Sequence, residues 1–467
     1  MAFDSVKSII GEAVLKQGLN YLAKDPEKNL VKLARWADAI AREPIHKQYT
    51  RALVAEFSDP DHPMSKVFFK LLRQSSKNVR EKLVINFFLN ANLIGVPKLK
   101  ESKKKFGVHV PWCILIDPTG RCNLRCKGCW AGEYDRTQDM DYATLDRIIS
   151  EGEELGMHFF LYSGGEPTVR MNDVLSLAAK HNDSLFFSFT NGTLITKEVA
   201  RRVEEVGNLA FAISIDGLEQ ATDERRGKGV FQKVMQAMDN LREAGCIFGF
   251  SATYSRANTE EVASDAFIDL MISKGCLYGW LFTYVPVGGD SDLEYMATPE
   301  QRALMFHTVQ QWRKEKAVVV ADFWNDGALT EGCIAGGRAY FHINAQGEAE
   351  PCAFVHYANV NMKNTSLLDA LRCPLFNAYQ SMQPFNHNHM RPCPIIDNPV
   401  ALEKMVGETG AYSTQKNALS AAQLCRPLHS YAKEWGETSA PLWDEWETLR
   451  PIYTGARIAS DTKYEED

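Results

Sequence analysis

Six short apolar or aromatic runs recur through the middle of this 467-residue chain. They are CILID (113–117), MHFFLYS (157–163), LFFSFT (185–190), LAFAISID (209–216), IFGFSATYS (247–255) and LYGWLFTYV (277–285). Between them lie amphipathic stretches such as YATLDRIISEGEELG and VFQKVMQAMDNLREAG, each closing on Gly, a frequent helix stop. Strands that alternate with helices predict a parallel sheet covered by those helices. The loops after the carboxyl ends of such strands gather on one edge, and a functional site is expected there.

Two motifs occupy those loops. Cys122, Cys126 and Cys129, within PTGRCNLRCKGCWAGEY, follow the first strand. The spacing C-x3-C-x2-C offers three thiolates, one fewer than usually saturates a 4Fe–4S cluster, so one iron is left open to a small molecule. Structural zinc is the competing reading, but it favours four ligands, often as paired C-x2-C, and no fourth Cys or His falls in the next two dozen residues. After the second strand comes LYSGGEP, with Gly164, Gly165, Glu166 and Pro167. Alone it reads as an ordinary glycine turn.

In this order the two motifs resemble the radical S-adenosylmethionine (radical SAM) enzymes. The resemblance implies a partial (β/α)6 barrel and a 4Fe–4S cluster on Cys122, Cys126 and Cys129. SAM would chelate the open iron, and one electron would split a carbon–sulfur bond to give methionine and a 5′-deoxyadenosyl radical. Reduced ferredoxin or flavodoxin is the expected electron donor. Gly164 and Gly165 would let backbone approach the methionine part of SAM, with Glu166 by its amino group. Ser214 and Arg226, twelve residues apart, match SAM-contacting positions of related enzymes, and Asp216 lies between them; a strand end followed by a surface DERR cluster is the bland alternative. Asn191, closing the third strand, is placed by position in the adenosine pocket. One departure stands out: Gly128 precedes the third cysteine where the family often has an aromatic residue, and Trp130 is the candidate substitute.

The flanks differ from the barrel. Residues 1–105 read as helices, broken by Pro60 and Pro63, and 106–320 as the barrel. From Met64 to Lys105 there are 11 Lys or Arg against two Glu, around the apolar stretch LVINFFLNANLIGV (83–96), which is too short for a membrane span. Beyond about 320 the sequence becomes Gly-, Asn- and Pro-rich and resembles the SPASM extension of radical SAM enzymes. Cys333, Gly347 and Cys352 match its opening, but the dense four-cysteine run is absent. The resemblance implies a loop-rich domain over 321–467 with one auxiliary 4Fe–4S cluster on Cys333, Cys352, Cys393 and Cys425. Cys113, Cys246, Cys276 and Cys373 read as packed core. Asp322, Asn325 and Asp326 in DFWNDG are either substrate-facing or a hydrogen-bonded turn. The full expectation is α/β: a partial barrel with a helical N-terminal region and a loop-rich iron–sulfur domain.

A net charge of −7 gives no sign of a nucleic-acid binder, and the N-terminal stretch carries too many charges for a signal peptide, so the expected compartment is the cytoplasm. Three functions compete. A lipid or membrane component is the first choice, because the basic segment with its apolar insert fits an interfacial helix in peripheral contact with the inner membrane face. A helical cap on the barrel is the plainer account of that segment. A peptide maturase forming crosslinks or thioethers is the second function, and an electron-relay protein, which has no use for an open iron, the third.

Overall fold

The computed structural model describes residues 2–453 other than 41–43, 138, 289 and 417–418; Met1 and 454–467, at the outer ends of the two flanking regions, lie outside the described residues. All six expected strands are present. They are β1 (Cys113–Ile116), β2 (Phe159–Tyr162), β3 (Leu185–Thr190), β4 (Leu209–Ser214), β5 (Phe248–Tyr254) and β6 (Tyr278–Thr283). With β7 (Val319–Asp322) they form one parallel array in the order β7-β6-β5-β4-β3-β2-β1. Beyond β1 the sheet gains β8 (Tyr340–Ile343), also parallel, and β9 (Ala349–Glu350), antiparallel to β8. Sequence around 340–350 read as loop, yet it extends the barrel sheet. Helix starts follow their caps: Asp141, Thr196, Ser264 and Thr298 each accept a backbone N–H from the turn they open.

Successive side chains on a strand point to opposite faces. On one face Ile114, Phe160, Phe186, Phe211 and Phe250 are fully buried beneath the helices. On the other, Leu115, Leu161, Phe187 and Ala210 share one register and keep 5–8% exposure, while Phe189, Trp280 and Phe282 are half-buried. This second face is concave. Phe187 of β3 meets Tyr278 of β6 at 5.4 Å between ring centroids, although β4 and β5 separate those strands in the sheet. Small residues on β4 and β5, Ala210, Ala212 and Gly249, leave room for rings to lean over them. The barrel interior is therefore lined by aromatic rings.

The N-terminal region explains its own basic composition. Residues 63–106 run as helix Pro63–Gln74, helix Lys77–Val84, a wide π-helix Ile85–Ile94 and helix Gly95–Phe106. They wrap the amino-terminal end of the barrel as a belt, capping in turn the last carbonyls of its outer helices. Lys70 Nζ donates to Ile272 and Cys276 O (2.6 and 3.0 Å), and Gln74 to Gly275 O (3.0 Å). Asn78 reaches Glu204 O (2.6 Å) and Lys82 reaches Val206 O (2.9 Å). Asn86 and Asn90 donate to the carbonyls of 182–184, and Lys98 to Glu153 O (2.9 Å). These contacts set donors, often cations, on carbonyls at or just past helix ends, where the negative end of the helix dipole favours them. Lys70, Lys82 and Lys98 thus act in the fold itself. The helical-cap account of this segment covers them, and the interfacial-helix account does not need them. No helix among the described residues is long and apolar enough to cross a membrane.

The C-terminal helix His429–Tyr453 packs beside helix Pro299–Glu315 through Trp435, Trp443 and Phe306. At its root Arg302 is fully buried, paired with Asp397 at 2.7 Å and 4.0 Å from the Trp435 ring centre.

Candidate active site

The loop after β1 carries Cys122, Cys126 and Cys129, all half-buried. Three neighbouring loops hold it. Gly165 N and Glu166 N donate to Thr119 O and Arg121 O (3.0 and 2.8 Å), lacing the loop after β2 to it. Asn191, after β3, donates from Nδ2 to Asn123 Oδ1 (2.9 Å), with the same nitrogen 3.9 Å from Cys122 Sγ. Lys127 N donates to Arg225 O (2.9 Å), joining the helix after β4.

The glycines serve this lacing. A Cβ on Gly165 would lie 2.2 Å from Arg121 O, and one on Gly164, at φ +109°, 2.7 Å from Thr119 O. They let the cysteine loop come close. The Glu166 carboxylate also serves this lacing. Oε1 accepts from Thr168 N (3.0 Å), Thr168 Oγ1 (2.5 Å) and Thr190 Oγ1 (2.7 Å), and Oε2 from Asn191 N (2.7 Å). Its carboxylate pins the ends of β2 and β3 together, and Pro167 starts the short turn it caps. Burial nevertheless pushes its pKa up against those four donors.

Asp216 and Arg226 are also brought together. Asp216 is fully buried and accepts from Arg226 Nε (2.6 Å), Arg225 Nη1 (2.8 Å) and Thr253 N (2.9 Å). Burial opposes its charge, but the two guanidiniums outweigh it and hold its pKa at about 2. Asp216 keeps Arg226 charged against its own burial, and Cys126 and Cys129 are among its neighbours, so it lies beside the cysteine loop. Asp216 positions Arg226, and Ser214, half-buried, ends β4 on the concave face.

The departure at Gly128 has a structural reason. It adopts φ +60°, and a Cβ there would lie 2.6 Å from the Tyr284 ring. Tyr284, just beyond β6, supplies the aromatic cover that the loop lacks, and its hydroxyl is fixed by Asp292 N (3.1 Å). Only an aromatic near a strand end could have hinted at it. Trp130 packs elsewhere, at 5.6 Å from His342, 5.9 Å from Phe354 and stacked on His356 at 6.2 Å between ring centres.

The thiols suit an iron cluster. Burial pushes Cys122 up to about 11, with neighbouring Glu166, Cys126 and Cys129 adding to it, and burial raises Cys129 as well. Left alone Cys122 and Cys129 stay protonated; a positively charged ligand is what turns such thiols into thiolates. In the C-terminal region burial pushes Cys333, Cys352 and Cys393 each to about 12, with Cys393 acting on Cys333 and Cys333 on Cys352. Ile395 N donates to Cys393 Sγ (3.4 Å) and Tyr340 Oη to Cys352 Sγ (2.8 Å). Cys425, also raised to about 12 by burial, has Glu403 as its charged neighbour, while buried Tyr379 feels all four thiols. No three His, Cys, Asp or Glu side chains among the described residues are gathered tightly enough for a single metal ion; a cubane cluster holds its thiolates further apart. Asp322, Asn325 and Asp326 form the hydrogen-bonded turn. Asn325 Nδ2 donates to Asp322 Oδ2 (2.7 Å), and Asp326 Oδ2 accepts from Asp322 N (2.9 Å) and Arg313 (2.6 Å).

Sequence reading missed a charged pocket behind Trp130. His342, fully buried on β8, lies 2.7 Å from Glu350 Oε2 and 2.9 Å from Asp117 Oδ2. Burial disfavours its charge, but Asp117 and Glu350 prevail and raise its pKa from 6.5 to about 10. A raised histidine stabilises fully below its unfolded value, and that stability is lost as pH rises through the folded value. The His342 contribution is thus present at pH 6.5 and gone above about 10. Wild-type melting temperature is expected to fall between those limits, and His342→Gln to flatten that slope. An unchanged slope in scanning calorimetry would show that His342 is not charged there.

The fold and loop geometry agree with known proteins. Residues 116–263 match the family model of the Radical SAM superfamily. The AdoMet-dependent heme synthase of Nitratidesulfovibrio vulgaris is 30% identical over 288 residues, covering 55% of this chain and 77% of that protein. The mycofactocin maturase MftC of Mycolicibacterium smegmatis is 29% identical over 276 residues, covering 56% and 68%. Among solved structures, Streptococcus suis SuiB bound to S-adenosylmethionine superposes with TM-score 0.54 at 17% identity, over 76% of this chain and 88% of that one. The chain belongs to the radical SAM superfamily, enzymes whose chemistry rests on a 4Fe–4S cluster and SAM and needs a reductant.

Proposed function

We propose that Cys122, Cys126 and Cys129 hold the SAM-binding cluster and that the enzyme abstracts hydrogen from an unactivated C–H bond. When bound, cluster and SAM together supply the electron and the 5′-deoxyadenosyl group. The observation that carries this is the triple lacing of the cysteine loop to the loops after β2, β3 and β4. Through it Gly165, Asn191 and the Asp216–Arg226 pair face one small region beside three thiols. Arg226 offers positive charge, Asn191 an amide, and Tyr284 excludes water from the loop. Cys333, Cys352 and Cys393, with Cys425 as fourth candidate, are placed as ligands of an auxiliary cluster, and a ferredoxin or flavodoxin as donor.

For the substrate, the relatives favour peptide maturation over lipid. One is a maturase by name, SuiB has been seen with its precursor peptide SuiA, and no relative described above is named for a lipid. A second reading, an extended apolar substrate, is favoured by one feature, the aromatic interior of the barrel. Anaerobic, dithionite-reduced protein is expected to convert SAM to 5′-deoxyadenosine, measured by liquid chromatography. Iron-replete protein that leaves SAM intact would overturn the proposal.

A further inference from the structure

We propose that the π-helix Ile85–Ile94 and the helix after it form a docking site for an anionic membrane surface. The proposal concerns where the enzyme sits and leaves the substrate readings above unchanged.

The side chains that cap the barrel helices leave a remainder of the belt that the fold does not use. Phe88 is 52% exposed, Leu93 70% and Phe87 36%. A π-helix bonds residues five apart, so Phe88 and Leu93 stack on one face of it. Phe87 joins them, its ring centre 5.0 Å from that of Phe88. The Asn92 side chain donates to Phe87 O (2.7 Å) and braces the wide turn that carries all three. Large apolar side chains clustered in water in this way mark a contact surface.

A basic stripe continues the same face. Leu93, Pro97, Lys100 and Lys104 recur at four-, three- and four-residue spacing along helix Gly95–Phe106 and the turn before it, and all four are exposed. From Ile85 to Phe106 the chain holds five Lys against one Glu. Lys98 is taken up by Glu153 O, but among the described residues no hydrogen bond or ion pair engages Lys100 or Lys104.

Together these features select the occupant. An anionic bilayer offers phosphates to the free lysines and, just beneath them, an apolar layer to the projecting Phe88 and Leu93. A nucleic-acid backbone offers the charge without the apolar layer. The stretch is too short to cross, so it lies on the surface. Phe87 lies 6.1 Å from Trp112, which precedes β1, whereas the cysteine loop follows β1 at the other end. Docking there leaves the catalytic end open to substrate and reductant.

The test sediments full-length, cluster-loaded protein with phosphatidylcholine vesicles, with and without phosphatidylglycerol. Wild type is expected to pellet with the anionic vesicles and to be released by high salt, which screens the lysines. Phe88→Glu should weaken binding at least about tenfold, since a buried ring is exchanged for a charge. Lys100→Glu combined with Lys104→Glu should weaken it about as much. Both variants alter exposed positions, so SAM cleavage at the wild-type level is expected and serves as the check on folding. Wild type that stays in the supernatant, pellets equally with neutral vesicles, or binds regardless of both variants would overturn the site. Sedimentation velocity without lipid adds one outcome: a dimer that Phe88→Glu dissolves would assign the patch to a second copy and overturn the proposal. None of these results bears on 5′-deoxyadenosine formation, so the radical chemistry stands or falls separately.

Discussion

Joint replacement of Cys122, Cys126 and Cys129 by alanine is expected to abolish 5′-deoxyadenosine formation while leaving a folded chain. The three thiols sit on a half-buried loop anchored mainly by backbone groups and the side chains of Asn123, Arg121 and Arg136, and the substitutions remove only weak thiol contacts such as Leu124 N to Cys122 Sγ (3.4 Å). Iron per chain should fall from about eight to about four if the C-terminal cysteines hold a second cubane. Burial keeps the auxiliary thiols protonated near pKa 12, so iron must displace their protons, and the remaining cluster should be the slower of the two to reconstitute at neutral pH. Anaerobic iron counting with electron paramagnetic resonance on the triple variant checks both statements. Retained SAM cleavage in that variant would remove the cysteine loop from the chemistry altogether.

Asp216→Ala should be the most damaging change that spares every cysteine. Asp216 is a fully buried carboxylate serving two guanidiniums and the Thr253 amide at once. Removing one partner of such a buried network typically costs about 3–5 kcal/mol, because the charges left behind are neither solvated nor paired. Arg226 would lose its aim beside Cys126 and Cys129, so the thermal stabilisation given by added SAM should shrink along with the melting temperature. Asp216→Asn keeps the shape and some hydrogen bonds, and should recover part of the stability but little of the SAM response. A folded Asp216→Asn protein that binds SAM like wild type would show that the pair is structural only.

The barrel was legible because its physics is local. Runs such as LFFSFT and LYGWLFTYV are too apolar to sit anywhere but in a buried strand, and their glycine-terminated helices mark each crossover. The cysteine loop was legible from spacing, and Arg226 was marked by its distance from Ser214, but its pairing with Asp216 came from the fold. What escaped was set by long-range geometry. Tyr284 covers Gly128 across more than 150 residues, and His342 meets Asp117 only because β8 docks beside β1. β8 itself is four residues long with no helix to announce it. The basic segment was noticed, but charge counting could not reveal that its lysines and asparagines face carbonyls at the ends of helices far along the chain. Glu166 adds what the motif alone could not show: its carboxylate accepts hydrogen bonds from Thr168, Thr190 and Asn191.

The belt imposes an order on synthesis. Residues 63–106 emerge before the barrel, yet the carbonyls they cap lie between residues 153 and 276. At about 5–20 residues per second, Lys70 and Gln74 wait roughly ten to forty seconds on the ribosome for their acceptors. Throughout that interval the phenylalanines of the π-helix have no barrel to lean on, so a nascent chain stalled short of residue 276 is a ready client for chaperones. Closure comes last at the oldest end, when helix Asp265–Lys274 is translated and clasps helix Pro63–Gln74.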